Sequence, residues 1–223
     1  MTTPRDFTAT TARPMPVIIL ADTSGSMARD GNITALNTAM RDMIQSFAAE
    51  EPGLAEVHVA IITFGGEAKV HLPLKPAHEI RFEDLSASGT TPLGGAIALT
   101  REMIEDRSVV SGRAYSPTIV LLSDGLPTDA WEEPIRQLLE SDRARKAQRF
   151  ALGIGADPGA EALRAFLGDP TAKVLAAKDA NQIRKFFQYL TMSVQARSRS
   201  TTPNAHGPSS VNHVPADLEE IFY

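Results

Sequence analysis

Two continuous apolar runs, each ending in an acidic residue, constrain this chain more than any other feature. The first run, VIILAD, covers residues 17–22, and the second, TIVLLSD, covers residues 118–124. Apolar runs without polar alternation are typical of strands that helices cover on both faces of a parallel sheet. The two runs therefore predict an α/β protein with two buried strands, each followed by a carboxylate.

Strand and helix patterns alternate through the rest of the chain. EVHVAIITF and EAKVHLPL are two further strands, and Gly65-Gly66 between them suits a tight hairpin. RFALGIG and KVLAA complete six strands, and a helix interrupted or restarted at Pro134 is predicted over residues 129–146. We predict a doubly wound, mostly parallel six-stranded sheet with one antiparallel edge strand and helices on both faces.

Composition divides the chain into three parts. Residues 1–13, with five Thr, are expected to be a flexible lead-in, and residues 14–196 to be a single domain. Residues 197–223 are rich in Ser, Thr and Pro and are expected to be a disordered tail, either a plain linker or a phosphorylation region. Within this tail, residues 215–223 (PADLEEIFY) are a candidate docking segment. One of its acids, Asp217, Glu219 or Glu220, could also supply a ligand to the metal site that is predicted below.

The overall charge and the absence of cysteine exclude several function classes. Acidic residues outnumber basic ones by 27 to 22, so we expect neither nucleic acid nor an anionic membrane as a partner. A chain without Cys has no thiolate zinc site and no cysteine nucleophile, and it fits a reducing compartment. The N-terminus lacks a signal-peptide pattern and no apolar run approaches the roughly 20 residues of a membrane span, so we expect a cytoplasmic protein.

Oxygen-bearing side chains cluster in three segments that the predicted sheet brings to one edge. They are residues 22–26 after the first strand, residues 88–92 before a helix, and residues 123–125 after the second apolar strand. In an open parallel sheet, ligands bind outside the carboxyl ends of the strands. Carboxylates and hydroxyls are the ligands of a hard divalent cation, so the pattern predicts a Mg²⁺ or Mn²⁺ site.

The segments LADTSGSM, SGTTPLGGAI and LLSDGLPTD, in this order, resemble the von Willebrand factor type A (VWA) domain and its metal-ion-dependent adhesion site (MIDAS). The resemblance covers about residues 13–196. It implies that Ser24 and Ser26 bind the metal directly, and that Asp22 and Asp124 hold metal-bound waters. It also implies that Thr91 binds directly or through water.

The threonine segment departs from the family pattern, which usually has Gly-Gly-Thr where this chain has Gly89-Thr90-Thr91. Alignment on the Leu and Gly that follow selects Thr91, and Thr90 stays an alternative. The LSASG lead into this segment, the GxPTD after the aspartate and the late GIGAD are similar to small bacterial VWA proteins of the tellurite-resistance TerY type.

The resemblance implies a non-enzymatic, metal-dependent protein-binding module whose partner supplies a Glu or Asp to the metal. It also implies a role in bacterial stress resistance or phospho-signalling, with a kinase-like or phosphatase partner. A VWA regulatory subunit of an AAA+ ATPase or chelatase is an alternative. A metal-dependent hydrolase is a weaker one, because Ser24 stands where a phosphatase of the Asp-x-Asp type carries its general acid.

Three other residues have ordinary structural explanations. His58 and His71 lie on adjacent predicted strands, where polar side chains are common, and we expect no metal pair there. Trp131 lies near the predicted metal edge and is expected to pack against the domain more readily than to anchor an interface.

Overall fold

The structure is a computed structural model that describes residues 12–51, 53–155 and 160–205 of the 223-residue chain. Within these residues, the strands are β1 (Arg13–Asp22), β2 (Ala55–Gly65), β3 (Glu67–Pro76), β4 (Thr118–Ser123), β5 (Gln148–Ile154) and β6 (Leu175–Ala177). The α-helices are α1 (Asn32–Ala48), α2 (Leu93–Glu105), α3 (Glu132–Glu140), α4 (Ala160–Leu167) and α5 (Ala180–Ser198). Short 3₁₀ helices cover Gly25–Gly31, Ala77–Glu79 and Ala144–Lys146.

The strands form one six-stranded sheet in the order β3-β2-β1-β4-β5-β6. β1 pairs in parallel with β2 and β4, whereas β3 is antiparallel to β2 at the sheet edge, across a hairpin in which Gly66 has a φ of 75°. The predicted fold class is confirmed. The strand order reverses between β1 and β4, and this is the point where doubly wound sheets bind their ligands.

The central strand β1 has both faces buried, as its unbroken apolar run predicted. Val17 and Ile19 face the core layer that includes α1 and α5, and Ile18 and Leu20 face the layer that includes α2, α3 and α4. All four side chains are completely buried. The alternation follows from the two-residue period of a strand, and it fixes which residues after β1 point toward the sheet edge.

The predicted helix over residues 129–146 is wrong in extent. α3 covers Glu132–Glu140, and Pro134 lies in its first turn, where a missing backbone N–H breaks no helical hydrogen bond. The chain leaves the helix at Ser141, which is extended. The Glu105 carboxylate then accepts hydrogen bonds from the backbone N–H groups of Arg143 (2.9 Å) and Ala144 (3.2 Å), which fixes the new direction.

The predicted boundary at residue 196 falls inside α5, and residues 197–205 pack on the domain. Arg197 is only 4% exposed, and its guanidinium donates to the Thr118 hydroxyl (2.7 Å) and to the carbonyls of Ser116 (3.0 Å) and Pro203 (3.1 Å). The Asn204 side chain accepts from the Ser116 N–H at 2.9 Å. The expectation that the tail begins at residue 197 is therefore corrected.

The two chain ends beyond these contacts lie outside the described residues. Arg13, placed in the lead-in from the sequence, is the first residue of β1, and its N–H donates to the Leu54 carbonyl at 3.1 Å. Residues 1–11 and 206–223, with the candidate docking segment 215–223, are not described. Among the described residues, no helix is long and apolar enough to cross a membrane.

Candidate metal centre

Two of the three oxygen-rich segments begin at the carboxyl ends of β1 and β4, where the strand order reverses. Asp22 is the last residue of β1, and Ser24 and Ser26 follow it in the turn that opens the first 3₁₀ helix. Asp124 comes directly after Ser123, the last residue of β4. Because β1 and β4 are adjacent and parallel, both segments leave the sheet side by side.

A continuous run of hydrogen bonds connects the predicted ligands. The hydroxyl oxygens of Ser24 and Ser26 lie 2.9 Å apart, and the Ser26 hydroxyl donates to Asp124 Oδ1 at 2.7 Å. Asp22 Oδ1 accepts from the Ser24 N–H at 2.8 Å. The structure thus brings together four residues from two loops that are about a hundred positions apart in sequence.

Asp22 is a fully buried carboxylate with both oxygens engaged. Its Oδ2 accepts from the Ser123 hydroxyl at 2.6 Å, which complements the Ser24 bond at Oδ1. Burial raises the pKa of Asp22, whereas the hydrogen bonds from Ser123 and Ser24 lower it and the nearby Asp124 charge raises it further. The charge of Asp124 acts on this buried carboxylate, and such an arrangement of two acids favours a bound cation.

Thr91, and not Thr90, lies beside the other candidate ligands. A Cβ atom at Gly125 would be 3.8 Å from both the Ser26 hydroxyl and the Thr91 hydroxyl, so the two hydroxyls flank the same glycine. Thr91 is 6% exposed, whereas Thr90 is exposed. The geometry favours Thr91 as the member of this cluster.

The loop that carries Thr91 is held by two residues that the sequence analysis did not single out. Thr128 Oγ1 accepts from the Thr91 N–H at 3.1 Å, and the Thr128 N–H donates to the Thr91 carbonyl at 2.9 Å. The Asp129 carboxylate accepts hydrogen bonds from the N–H groups of Gly94 (2.9 Å) and Gly95 (3.0 Å). These groups lie in the first turn of α2, where a backbone N–H has no acceptor within the helix. The sequence signal for both residues is the PTD segment, which begins three residues after Asp124.

Glycines let the three loops approach one another at backbone distance. Gly89, with a φ of 78°, accepts through its carbonyl from the Gly25 N–H at 3.0 Å, and a Cβ atom on it would lie 2.5 Å from the backbone nitrogen of Gly66. The Gly66 N–H in turn donates to the Thr90 carbonyl at 3.0 Å. The β2–β3 hairpin thus supports the threonine loop, which is fixed through backbone atoms.

The donor set of this cluster is hydroxyl and carboxylate oxygen. Within the described ranges, no group of three or more His, Cys, Asp or Glu side chains could hold a metal ion, so any metal at this edge depends on the Ser and Thr hydroxyls. Such a set fits a hard divalent cation, which accepts oxygen ligands and retains water.

His58, His71 and Trp131 make contacts with residues that are not members of this cluster. His58 bonds to the Glu56 carboxylate at 2.8 Å, and His71 lies 3.3 Å from the Glu83 carbonyl. Trp131 is partly buried against the core layer of α2 and α3.

Comparison with known proteins identifies the family. Residues 17–189 match the family model of the von Willebrand factor type A domain. No protein of the curated set matches the sequence.

Solved structures share the fold at low sequence identity. A von Willebrand factor type A protein from Catenulispora acidiphila is 19% identical with a TM-score of 0.63, over 84% of this chain and 43% of that one. Proximal thread matrix protein 1 of the mussel byssus, with a zinc-occupied MIDAS motif, is 14% identical with a TM-score of 0.59, over 81% and 48%. BatB from Bacteroides thetaiotaomicron is 16% identical with a TM-score of 0.59, over 83% and 100%. The chain spans less than half of the first two proteins, and it belongs to the von Willebrand factor type A domain family.

Proposed function

We propose that this chain is a non-catalytic protein-binding module that depends on a divalent metal. In this proposal the cluster is a MIDAS: Ser24 and Ser26 bind the metal directly, Asp22 and Asp124 act through water, and Thr91 binds directly or through water. The observation that carries the proposal is the hydrogen-bonded run from Asp22 through Ser24 and Ser26 to Asp124 at the switch point of the sheet.

The chemistry of the donors sets the class of metal. All five residues offer oxygen, which favours Mg²⁺ or Mn²⁺ over ions that prefer thiolate. The mussel protein with a zinc-occupied MIDAS motif supports the use of a divalent ion in this family, and it makes Zn²⁺ a necessary comparison in any titration.

The charge balance at the site points to an acidic partner. If both aspartates act through water, neutral hydroxyls are the only protein atoms on the metal, and the dication keeps its affinity for a carboxylate. A Glu or Asp of a partner protein would complete the coordination. Leu126, two residues after Asp124, is 74% exposed and offers an apolar contact at the rim of the same site.

The environment of Asp22 supports a role without catalysis. A carboxylate nucleophile must reach its substrate, whereas Asp22 is fully buried and both oxygens already accept hydrogen bonds. The position of a second acid is held by Ser24, whose hydroxyl cannot serve as the general acid of a phosphatase.

The biological setting that we propose is bacterial stress resistance of the tellurite-resistance type or phospho-signalling, with a kinase or phosphatase partner. Its alternative is a regulatory subunit of an AAA+ ATPase. The two differ in the protein that the metal recruits, and identification of that protein separates them.

The metal site is tested by titration of the purified chain with Mg²⁺, Mn²⁺ and Zn²⁺ in a calorimeter. We expect Ser26→Ala and Thr91→Ala to weaken binding at least about tenfold, because each removes an oxygen donor. Thr90→Ala is the matched control and should bind like the wild type. Equal loss in the two threonine variants, or unchanged binding in Ser26→Ala, would refute the assigned site.

The binding role is tested by affinity purification from the native source in Mg²⁺, with and without a chelator, using wild-type and Asp124→Ala protein as bait. The proposal expects a partner that is retained by the wild type in Mg²⁺ and released by the chelator. A partner held equally by both baits in the presence of chelator would contradict the metal-dependent mechanism.

A further inference from the structure

A basic cleft lies at the edge of the sheet opposite the candidate metal centre. It has a volume of about 450 Å³ and opens beside the first residue of β1 and the segment that precedes β4. Among the described residues, four cationic side chains line it and no Asp or Glu does; the cations are Arg13, Arg107, Arg143 and Lys146. The chain as a whole has a net charge of −5, so this concentration of positive charge runs against its overall balance.

Two of the four cations are held in place by the domain. The Arg13 guanidinium lies 4.1 Å from the centre of the Tyr115 ring, and its Nε donates to the Arg113 carbonyl at 2.7 Å. The Arg143 guanidinium donates to the carbonyls of Ile104 (2.5 Å) and Val110 (2.6 Å). These hydrogen bonds go to neutral carbonyls, which orient the two guanidinium groups without cancelling their charge.

Glu105 interacts with Arg143 but serves a different purpose. Glu105 accepts from the backbone N–H of Arg143, and its carboxylate does not line the cleft. Its pKa is lowered by the backbone N–H groups of Arg143 and Ala144, against the effect of desolvation, so it is an anion that offsets part of the Arg143 charge. In the part of the chain that the structure describes, no acid lines the cleft beside the other three cations.

Arg107 and Lys146 are exposed, and in the described part of the chain neither side chain forms a hydrogen bond or an ion pair. Both reach the same cleft as the two fixed arginines. Like charges that share a cleft repel one another, and an anion placed among them removes that repulsion. The exposed side chains of Arg107 and Lys146 can contact such an anion without breaking a hydrogen bond or ion pair to another described residue.

We propose that this cleft binds a phosphate-class anion. The planar donors of arginine match phosphate oxygens, and a dianion compensates more of the four charges than a single carboxylate does. The volume is in the range of small-molecule sites, roughly 300–1,000 Å³, and exceeds what a bare phosphate fills. The phosphate therefore belongs to a larger molecule, either a free phosphorylated compound or a phosphorylated side chain.

The cleft is separate from the metal centre. β1 has ten residues, so its two ends are about 30 Å apart, and one small ligand cannot contact both sites. Asn204, which also lines the cleft, is part of the segment that Arg197 fastens to the domain. Occupancy of the cleft is therefore measurable whether or not the metal centre is functional.

In the test, metal-free protein is titrated with inorganic pyrophosphate, and binding is measured by calorimetry and by changes in the amide chemical shifts. Metal-free conditions prevent the anion from binding through a cation. We expect saturable binding that shifts the amides of Gly112, Ala114 and Ser116 and leaves Gly25 and Gly125 unchanged. Arg107→Ala/Lys146→Ala should weaken binding at least about tenfold, since two charged donors are lost.

The control variant is Lys75→Ala/Arg145→Ala, which removes the same charge from two exposed residues outside the cleft, one of them adjacent to Lys146. It should bind pyrophosphate within about twofold of the wild type, because nonspecific attraction at a distance is weak and screened by salt. An equal loss in both double variants, or no saturable binding by the wild type, overturns the proposal.

The source of the phosphate is assigned by a second pair of probes, a phosphoserine peptide and the same peptide unphosphorylated. Tighter binding of the phosphoserine peptide than of pyrophosphate supports a phosphorylated side chain, and the reverse order supports a free phosphorylated compound. Equal binding of the phosphorylated and unphosphorylated peptides overturns the phosphate assignment.

Discussion

Gly89 is the position where a single added carbon should damage both the fold and the candidate metal centre. It has a φ of 78°, and a Cβ atom there would lie 2.5 Å from the nitrogen and 2.6 Å from the Cα of Gly66. Both atoms are backbone of the β2–β3 hairpin, so no side-chain rotation relieves the contact. Gly89→Ala must therefore move one of the two loops.

The expected cost has two parts. A positive φ costs an L-residue about 1–2 kcal/mol, and insertion of a carbon into a packed site costs roughly 1–3 kcal/mol. The contact is about 0.9 Å shorter than an ordinary one of about 3.4 Å. We expect Gly89→Ala to lower the free energy of unfolding by about 2–5 kcal/mol.

Gly31→Ala is the control that separates the two parts. Gly31 has a φ of 71°, but nothing lies within 4 Å of its Cβ position, so only the backbone term of about 1–2 kcal/mol applies. The unfolding free energy of both variants is measured by urea titration, with circular dichroism as the signal. The difference between them is the cost of the close approach.

The same variant reports on the candidate metal centre. Gly89 and Thr90 accept hydrogen bonds from Gly25 and Gly66, and these bonds position Thr91 next to Ser26. We expect Gly89→Ala to weaken binding of Mg²⁺ in calorimetry, whereas Gly31→Ala leaves it within about twofold. If the two variants were equally destabilised and bound Mg²⁺ equally, the argument that backbone contact between these loops shapes the site would be refuted.

Four further outcomes follow from the same contacts. Arg197→Met should lower the unfolding free energy by about 2–4 kcal/mol, because buried carbonyls lose their donor. The side chain of Arg199 is 71% exposed, so Arg199→Met should lower the unfolding free energy by under about 1 kcal/mol in the same urea titration. Equal effects of the two substitutions would contradict a buried role for Arg197. Asp129→Ala should lower the unfolding free energy by about 1–2 kcal/mol and weaken Mg²⁺ binding, and Asp129→Asn should show a smaller loss of stability and of binding. A loss of stability with unchanged Mg²⁺ binding would show that Asp129 does not position the loop that carries Thr91. Mg²⁺ at a hundred times its Kd should raise the unfolding free energy by about 2.7 kcal/mol in the wild type. The same concentration should raise that of Asp124→Ala by about 1.4 kcal/mol or less, since a tenfold weaker site is occupied at only ten times its Kd. Leu126→Ser should reduce capture of the metal-dependent partner while the calorimetric affinity for Mg²⁺ stays unchanged, and a fall in that affinity would show that Leu126 shapes the metal centre itself.

The fold was predictable where burial dominates the sequence. The apolar run of β1 has both faces buried, and the glycine pair at residues 65–66 does join an antiparallel pair of strands. The extent of α3 was not predictable, because it depends on Glu105. That carboxylate binds the backbone at Arg143 and redirects the chain, and no local pattern around residues 141–146 contains this information.

The candidate site was also predictable from the sequence only in part. The Asp-x-Ser-x-Ser pattern has a fixed spacing, so Asp22, Ser24 and Ser26 could be chosen from the sequence. In the structure the Ser26 hydroxyl links them to Asp124. The choice between Thr90 and Thr91 depended on the conformation of the loop. Asp129 was missed because its role is visible only when α2 and the segment after β4 are brought together.

The C-terminal segment shows why composition alone misplaced the end of the domain. Residues 197–205 are polar and contain Ser, Thr and Pro, which is also the composition of a disordered chain. What holds them is one buried cation, Arg197, whose hydrogen bonds join the end of α5 to β4 and to the segment before it. A buried guanidinium costs free energy unless its donors are satisfied, so the segment that supplies the Pro203 carbonyl belongs to the same cooperative unit. The folded domain therefore extends at least to the acceptors of Arg197, beyond the point where the apolar pattern of the last helix stops.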